Sequence, residues 1–131
     1  MDLQFIDDVV DFNVMLSIEN EEDIYINIID KDQVRNIEIA SGMEKVISSI
    51  AIRAALASIS VFPKPTIFFL DEAFSSLDTE HLYNMNNLLL KLKNVFGTVV
   101  CISHIEEMKD IMDHFIHVEK NNDNYSELRI E

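Results

Sequence analysis

The stretch Thr66–Asp78, TIFFLDEAFSSLD, runs through five uncharged residues and then sets Asp71 and Glu72 side by side. Two carboxylates at the end of an apolar strand point to opposite sides. One can hold a metal ion while the other orients or deprotonates a water. Alone, the same pair is also the polar start of a turn. A second stretch with chemical content is ASGMEK, Ala40–Lys45, where Ser41 and Glu44 have the spacing of a helix capping box. Amides freed at such a helix start, with a hydroxyl and a glycine beside them, can also receive a phosphate. A third is CISH, where Ser103 and His104 end an apolar run.

These groups need elements to hold them. FNVMLSIENEEDIYINIIDKDQVRNIEIASG alternates apolar and polar residues around ENEED and DKDQ, which predicts antiparallel strands joined by turns. From Met43 to about Ser60 the period changes: Met43, Val46, Ile47, Ile50, Ala54 and Ala57 recur at helical spacing. FPKP then stops the helix. Thr66–Leu70 is too short for a helix and does not alternate, as expected of a central parallel strand buried on both faces. One helix follows through Leu82, Met85, Leu89 and Leu92 to Gly97 in the cap position, then the buried strand TVVCIS. A short helix carries Glu106 and Glu107 in its first turn, and FIHVEK and SELRI close the chain as strands around NNDN. Strand, helix and strand with short joints predict a right-handed unit with parallel strands. Asp71, Glu72, Ser103 and His104 then share the carboxyl edge, where open α/β sheets bind ligands.

At 131 residues, 48% hydrophobic and 26% charged, the chain has the length and composition of one globular domain. No hydrophobic run approaches the roughly 20 residues of a bilayer span, and the acidic N-terminus MDLQFIDDVVDF is unlike a secretory signal, so the expected location is intracellular, with no membrane partner. The lone cysteine, Cys101, excludes an internal disulfide framework and cysteine-cluster zinc sites, and within TVVCIS it reads as a core residue. A net charge of −14, with the Lys and Arg scattered, argues against a main nucleic-acid surface on this polypeptide.

The ordered set ASGMEK, IFFLDE, SSLD and CISH resembles the C-terminal half of an ABC-type ATPase head. In that resemblance Ala40–Lys45 is similar to the signature motif, Ile67–Glu72 to the Walker B strand, Ser75–Asp78 to the D-loop and His104 to the switch histidine. Glu44, where transporters usually carry Gln, makes SMC and SbcC heads, including viral and phage recombination-nuclease subunits, the nearest resemblance. The implied fold class is α/β, half of a P-loop NTPase-like head. Residues 1–39 form a mostly β lead-in, 40–60 the signature helix, and 66–131 the Walker B, D-loop and switch-histidine region. The only glycines, Gly42 and Gly97, do not make a G-x-x-x-x-G-K-[ST] loop, so there is no P-loop. Met43 also departs from the family, standing where the signature usually has its second glycine.

The resemblance implies ATP and Mg²⁺ as ligands. Asp71 is then the metal residue, Glu72 the base or water-orienting group, and His104 the γ-phosphate contact. Ser41, Gly42 and Glu44 receive the phosphate of an opposing subunit, and Asp78 meets that subunit while capping the next helix. His81, His114 and His117 match no motif and read as structural. The implied partners are a P-loop-containing N-terminal lobe, a second head in a dimer around ATP, a nuclease subunit, and DNA through the assembled complex, in the cytoplasm, nucleoid or a virus- or phage-infected cell. By this reading the isolated chain does not hydrolyse ATP. The alternatives are a non-hydrolysing, truncated or degenerate lobe that serves as an interaction module, and a transporter nucleotide-binding domain, which Glu44 disfavours.

Overall fold

The computed structural model describes residue 6 and residues 9–20, 23–75 and 77–130. Much of the acidic N-terminal stretch, part of the ENEED turn and Ser76 of the expected D-loop lie outside the described residues.

The antiparallel lead-in is present as β1 (Asn13–Glu19), β2 (Asp23–Asp30) and β3 (Gln33–Asn36), in the order β1-β2-β3. Val14 pairs with Ile28 and both are fully buried, whereas Ile18 and Ile24, paired at the far end, are exposed. A 3-10 turn, Ile37–Ile39, capped by the Asn36 side chain, carries the chain from β3 to α1 (Gly42–Ile59). Helix α1 buries Ile47, Ser48, Ile50, Ala51 and Ala54, the face its apolar spacing predicts. Met43, Val46 and Ala57 pack half-buried against the same core.

Strands β4 (Ile67–Asp71) and β5 (Thr98–Ile102) are parallel, with Leu70 opposite Cys101 and Asp71 opposite Ile102. Their connection is helical but divided: α2 (Thr79–Asn84) ends before α3 (Asn86–Phe96), with Met85, itself at φ −73° and ψ −13°, between them. The single helix expected from the sequence is thus two helices. The Leu88, Leu89, Leu92 and Phe96 face of α3 is buried, and the Phe96 ring lies 4.8 Å from that of Phe68 on β4. Gly97 closes α3 at φ 81°, a left-handed conformation that favours glycine. After β5, a 3-10 helix (Glu106–Asp110) buries Met108, and β6 (Ile116–Lys120) and β7 (Ser126–Ile130) form an antiparallel hairpin.

A second expectation, that of strands buried on both faces, is corrected for β4 and β5: no residue of β5 is fully buried. Strand β4 is buried on one face only: Phe68 and Leu70 point into the core, while Ile67 and Phe69 are exposed, Phe69 at 55%. The physical reason is that nothing among the described residues covers the second face. Arg53 of α1 reaches the backbone of β4, donating to the Phe69 carbonyl at 2.9 Å with its guanidinium 5.0 Å from the Phe68 ring centre. The β6–β7 hairpin likewise leaves Ile116, Val118, Leu128 and Ile130 exposed along one face.

Two predictions test this packing. Burial pushes the Cys101 thiol up to about 11, so at pH 8 its alkylation by iodoacetamide should be on the order of a hundredfold slower than that of an unperturbed thiol. Alkylation at the free-thiol rate would show that the core face of β5 is open. The Ser48 hydroxyl is buried and makes no hydrogen bond to any described residue. Ser48→Ala should therefore hold or raise the thermal midpoint, whereas a loss of about 1 kcal/mol or more would reveal a partner for the hydroxyl.

Candidate functional site

The parallel register of β4 and β5 creates one cluster. The Glu72 N–H donates to the Ile102 carbonyl at 2.9 Å, extending the ladder one residue past Asp71. The backbone of Glu72 then turns to φ 48°, an uncommon conformation for a non-glycine residue and one that concentrates at functional positions. The turn is pinned from below, because Ser75 donates both its N–H and its hydroxyl to the Glu72 carbonyl. On the next strand, the Ser103 hydroxyl accepts the Ile105 N–H at 3.1 Å and shapes the chain around His104. The result is a contact between side chains far apart in sequence: His104 Nδ1 lies 2.9 Å from Glu72 Oε2. Both are partly open to solvent, and Asp71 is exposed beside them.

A second cluster lies at the start of α1. The Glu44 N–H donates to Ser41 Oγ at 3.3 Å and the Ser41 N–H donates to Glu44 Oε2 at 2.8 Å, a reciprocal capping box. Ser41 Oγ spends a lone pair in this cap and keeps its O–H available as a donor. Arg35 of β3 grips the same Glu44 carboxylate through both terminal nitrogens. Burial alone would raise the Glu44 pKa. Hydrogen bonds from Arg35 and Ser41, with the charge of Arg35, outweigh it and hold the carboxyl below its ordinary value, and the same bond raises the pKa of Arg35. Met43 is half-buried against the core, while Ser41 and Gly42 are exposed.

Asp78 caps α2 by accepting the His81 N–H at 2.9 Å, and His81 Nδ1 lies 2.6 Å from the same carboxylate oxygen. This pair and the α1 turn share a groove of about 640 Å³, lined among others by Phe12, Ser41, Gly42, Glu44, Asp78 and His81. Asp71, Glu72 and His104 do not line it. The structure thus gathers the expected site residues into two groups, one at the strand edge and one in the groove. Sequence reasoning missed Arg35, whose link to Glu44 is tertiary, and the place of His81, which its spacing of three from Asp78 on a helix could have revealed.

Among the described residues no group of three or more His, Cys, Asp and Glu side chains is placed to hold a metal ion, and no helix is long and apolar enough to cross a membrane. A Mg²⁺ ion is commonly held by one or two carboxylates with phosphate oxygens and waters, so the exposed Asp71 at a strand end fits such a partial role.

No family model matches the chain. It is 36% identical over 85 residues to an uncharacterized protein of Acanthamoeba polyphaga mimivirus, covering 65% of this chain and 6% of that protein. It is 34% identical over 112 residues to an uncharacterized ABC transporter ATP-binding protein of Methanocaldococcus jannaschii, covering 82% and 19% respectively. With the SbcC component of the SbcCD nuclease of Pseudomonas aeruginosa it shares 30% identity over 100 residues, 76% of this chain and 8% of the relative. The chain therefore spans only 6% to 19% of the lengths of these relatives. Among solved structures, one from work on the ATP-driven dimerization and DNA-stimulated activation of SMC ATPases superposes with a TM-score of 0.77 at 18% identity, over 98% of this chain and 79% of the other. An SMC head bound to the C-winged helix domain of ScpA gives 0.71 at 23% identity, over 97% and 40%. Sequence relatives and fold agree: the chain is similar to SbcC over most of its own length and has the fold of a C-terminal lobe of an SMC-like ATPase head.

Proposed function

We propose that this chain is the half of an ATP-hydrolysing head that supplies the water-activating carboxylate, the switch histidine and a phosphate-receiving turn, and that it works on DNA in repair or recombination with a nuclease partner. The observation that carries the reading is the Glu72–His104 pair, 2.9 Å apart at the carboxyl edge of two parallel strands. One oxygen of Glu72 faces His104, leaving the other to accept a hydrogen bond from a water and, as attack proceeds, its proton. With Nδ1–H donated to Glu72, His104 can donate Nε2–H to an oxygen of the terminal phosphate when the ring carries both protons. Asp71 would hold Mg²⁺, which when bound neutralises phosphate charge. Ser41 donates its hydroxyl, and Gly42 its backbone amide, to a phosphate at the start of α1.

The separation of the two clusters supports a composite site. The Ser41 turn and Asp78 line the groove, whereas Glu72 and His104 stand at the strand edge outside it. In this reading each nucleotide is held between the strand edge of one copy and the groove turn of another, so hydrolysis needs dimerisation. The P-loop that must cradle the other phosphates is absent from this sequence. A P-loop lobe is the occupant we assign to the uncovered faces of β4 and of the β6–β7 hairpin, which carry exposed apolar side chains and flank a lobe that lacks the phosphate-cradling loop. Without that lobe the chain should release no phosphate above background. Met43, the departure from the usual motif, is half-buried against the core and lines the same groove as Ser41 and Gly42, which are exposed.

Two experiments on a head assembled with the P-loop lobe test the assignment. Glu72→Gln should keep ATP affinity within about threefold, lower turnover at least about a hundredfold and accumulate nucleotide-bound dimers. Unchanged phosphate release would return Glu72 to the role of a turn residue. Ser41→Asn and Ser41→Asp both preserve a helix cap, so both should stay within about 0.5 kcal/mol of wild-type stability. Ser41→Asp alone should abolish ATP-driven dimerisation, measured by light scattering, because it sets a negative charge against a phosphate. Dimerisation of the Asp variant at the wild-type level would leave the turn a helix cap and nothing more.

A further inference from the structure

Glu44 poses an electrostatic problem for a turn that receives phosphate. It places a carboxylate within hydrogen-bond reach of the Ser41 backbone, on a chain of net charge −14, in a groove that Asp11 and Asp78 also line. A bare carboxylate there would repel the anion that Ser41 is meant to receive. Arg35 meets this problem from a different element. Its two terminal nitrogens engage both oxygens of Glu44, and the pair is largely withdrawn from solvent, with side chains 30% and 15% exposed. A guanidinium is always charged and its planar fork matches a carboxylate, so the contact cancels the charge and fixes the orientation together.

Building on the phosphate-receiving role proposed for Ser41, we infer that Arg35 is a positioning residue of that site. From β3 it neutralises Glu44 and locks the capping box, so that the Ser41 hydroxyl is presented to a phosphate oxyanion with no uncompensated negative charge behind it. The role differs from simple bracing of the sheet against the helix, because it predicts rescue. Gln at position 44 still completes a capping box but carries no charge, so a head without the Glu44 charge no longer needs Arg35.

The test compares wild type, Arg35→Gln, Arg35→Lys and the double variant Arg35→Gln/Glu44→Gln in a head assembled with its P-loop lobe, reading ATP-dependent dimerisation by light scattering at low and high salt beside thermal unfolding. Arg35→Gln should weaken dimerisation by about tenfold or more, with partial recovery as salt screens the exposed charge. Arg35→Lys should fall between it and wild type, and the double variant should return to within about threefold of wild type. Wild-type dimerisation by Arg35→Gln, or a double variant as defective as the single one, overturns the inference while leaving the head assignment intact. Should Arg35→Gln not fold, failure of a folded double variant to dimerise is decisive in the same way. A wild-type head that does not dimerise with ATP overturns the reading of Ser41 and this inference with it.

Discussion

The parallel pairing of β4 with β5 is the constraint on which the rest of the molecule depends. Its register sets Phe68 and Leu70 of β4 and Val99 and Cys101 of β5 toward the core. The same register ends β4 at Asp71 opposite Ile102, so that Glu72 bonds to the Ile102 backbone and its carboxylate meets His104 two residues further on. A slip of one residue in β4 would exchange Phe68 and Leu70 for Ile67 and Phe69 on the core face and carry Glu72 away from its partner. Packing and chemistry are therefore fixed by one choice. Two parallel strands need a crossover connection, which α2 and α3 provide, and the left-handed Gly97 returns the chain directly into β5.

Much of this was legible because local patterns and tertiary packing agree. The spacing in Met43–Ala57 predicts the buried face of α1, the Ser41–Glu44 pair predicts its capping box, and the alternation before it predicts β1, β2 and β3. The division at Met85 carries no such signal, since neither glycine nor proline marks it. The reading of Thr66–Leu70 as buried on both faces failed in an informative way. An uninterrupted apolar run records that both faces shun water, but it cannot say that no described residue covers one of them. Ile67 and Phe69 are apolar and exposed, as are the paired residues of the β6–β7 hairpin. The site followed the same division: motif residues adjacent in sequence could be found, whereas the grip of Arg35 on Glu44 depends on how β3 packs beside α1.

Placement of charge is the remaining physical theme. A strongly acidic polypeptide that is to receive ATP, as proposed, must compensate its own carboxylates wherever the phosphates approach. Each carboxylate of the two clusters that has a defined contact meets a donor: Glu72 has His104, Asp78 has the His81 backbone and ring, and Glu44 has Arg35 and the Ser41 amide. The histidine contacts draw on neutral or protonated imidazole, whereas the guanidinium of Arg35 keeps its charge at every pH at which the protein is folded.

This difference bears on how a divided site could be controlled. At the strand edge, His104 stands in the open beside Glu72, so that a water or a phosphate can take up part of their hydrogen bonding without a rearrangement of the core. At the groove, the Ser41 turn is held by a capping box and braced through Glu44 to a separate sheet, so its geometry is set before any ligand arrives. The preorganised receiving turn lines the groove, whereas the open reacting edge with Glu72 does not. In the proposed head, each nucleotide recruits the rigid turn from an opposing copy, and the contact that orders the substrate is the same one that joins the two heads. Coupling of hydrolysis to dimerisation would follow from where the two clusters lie and would need no moving part within the lobe.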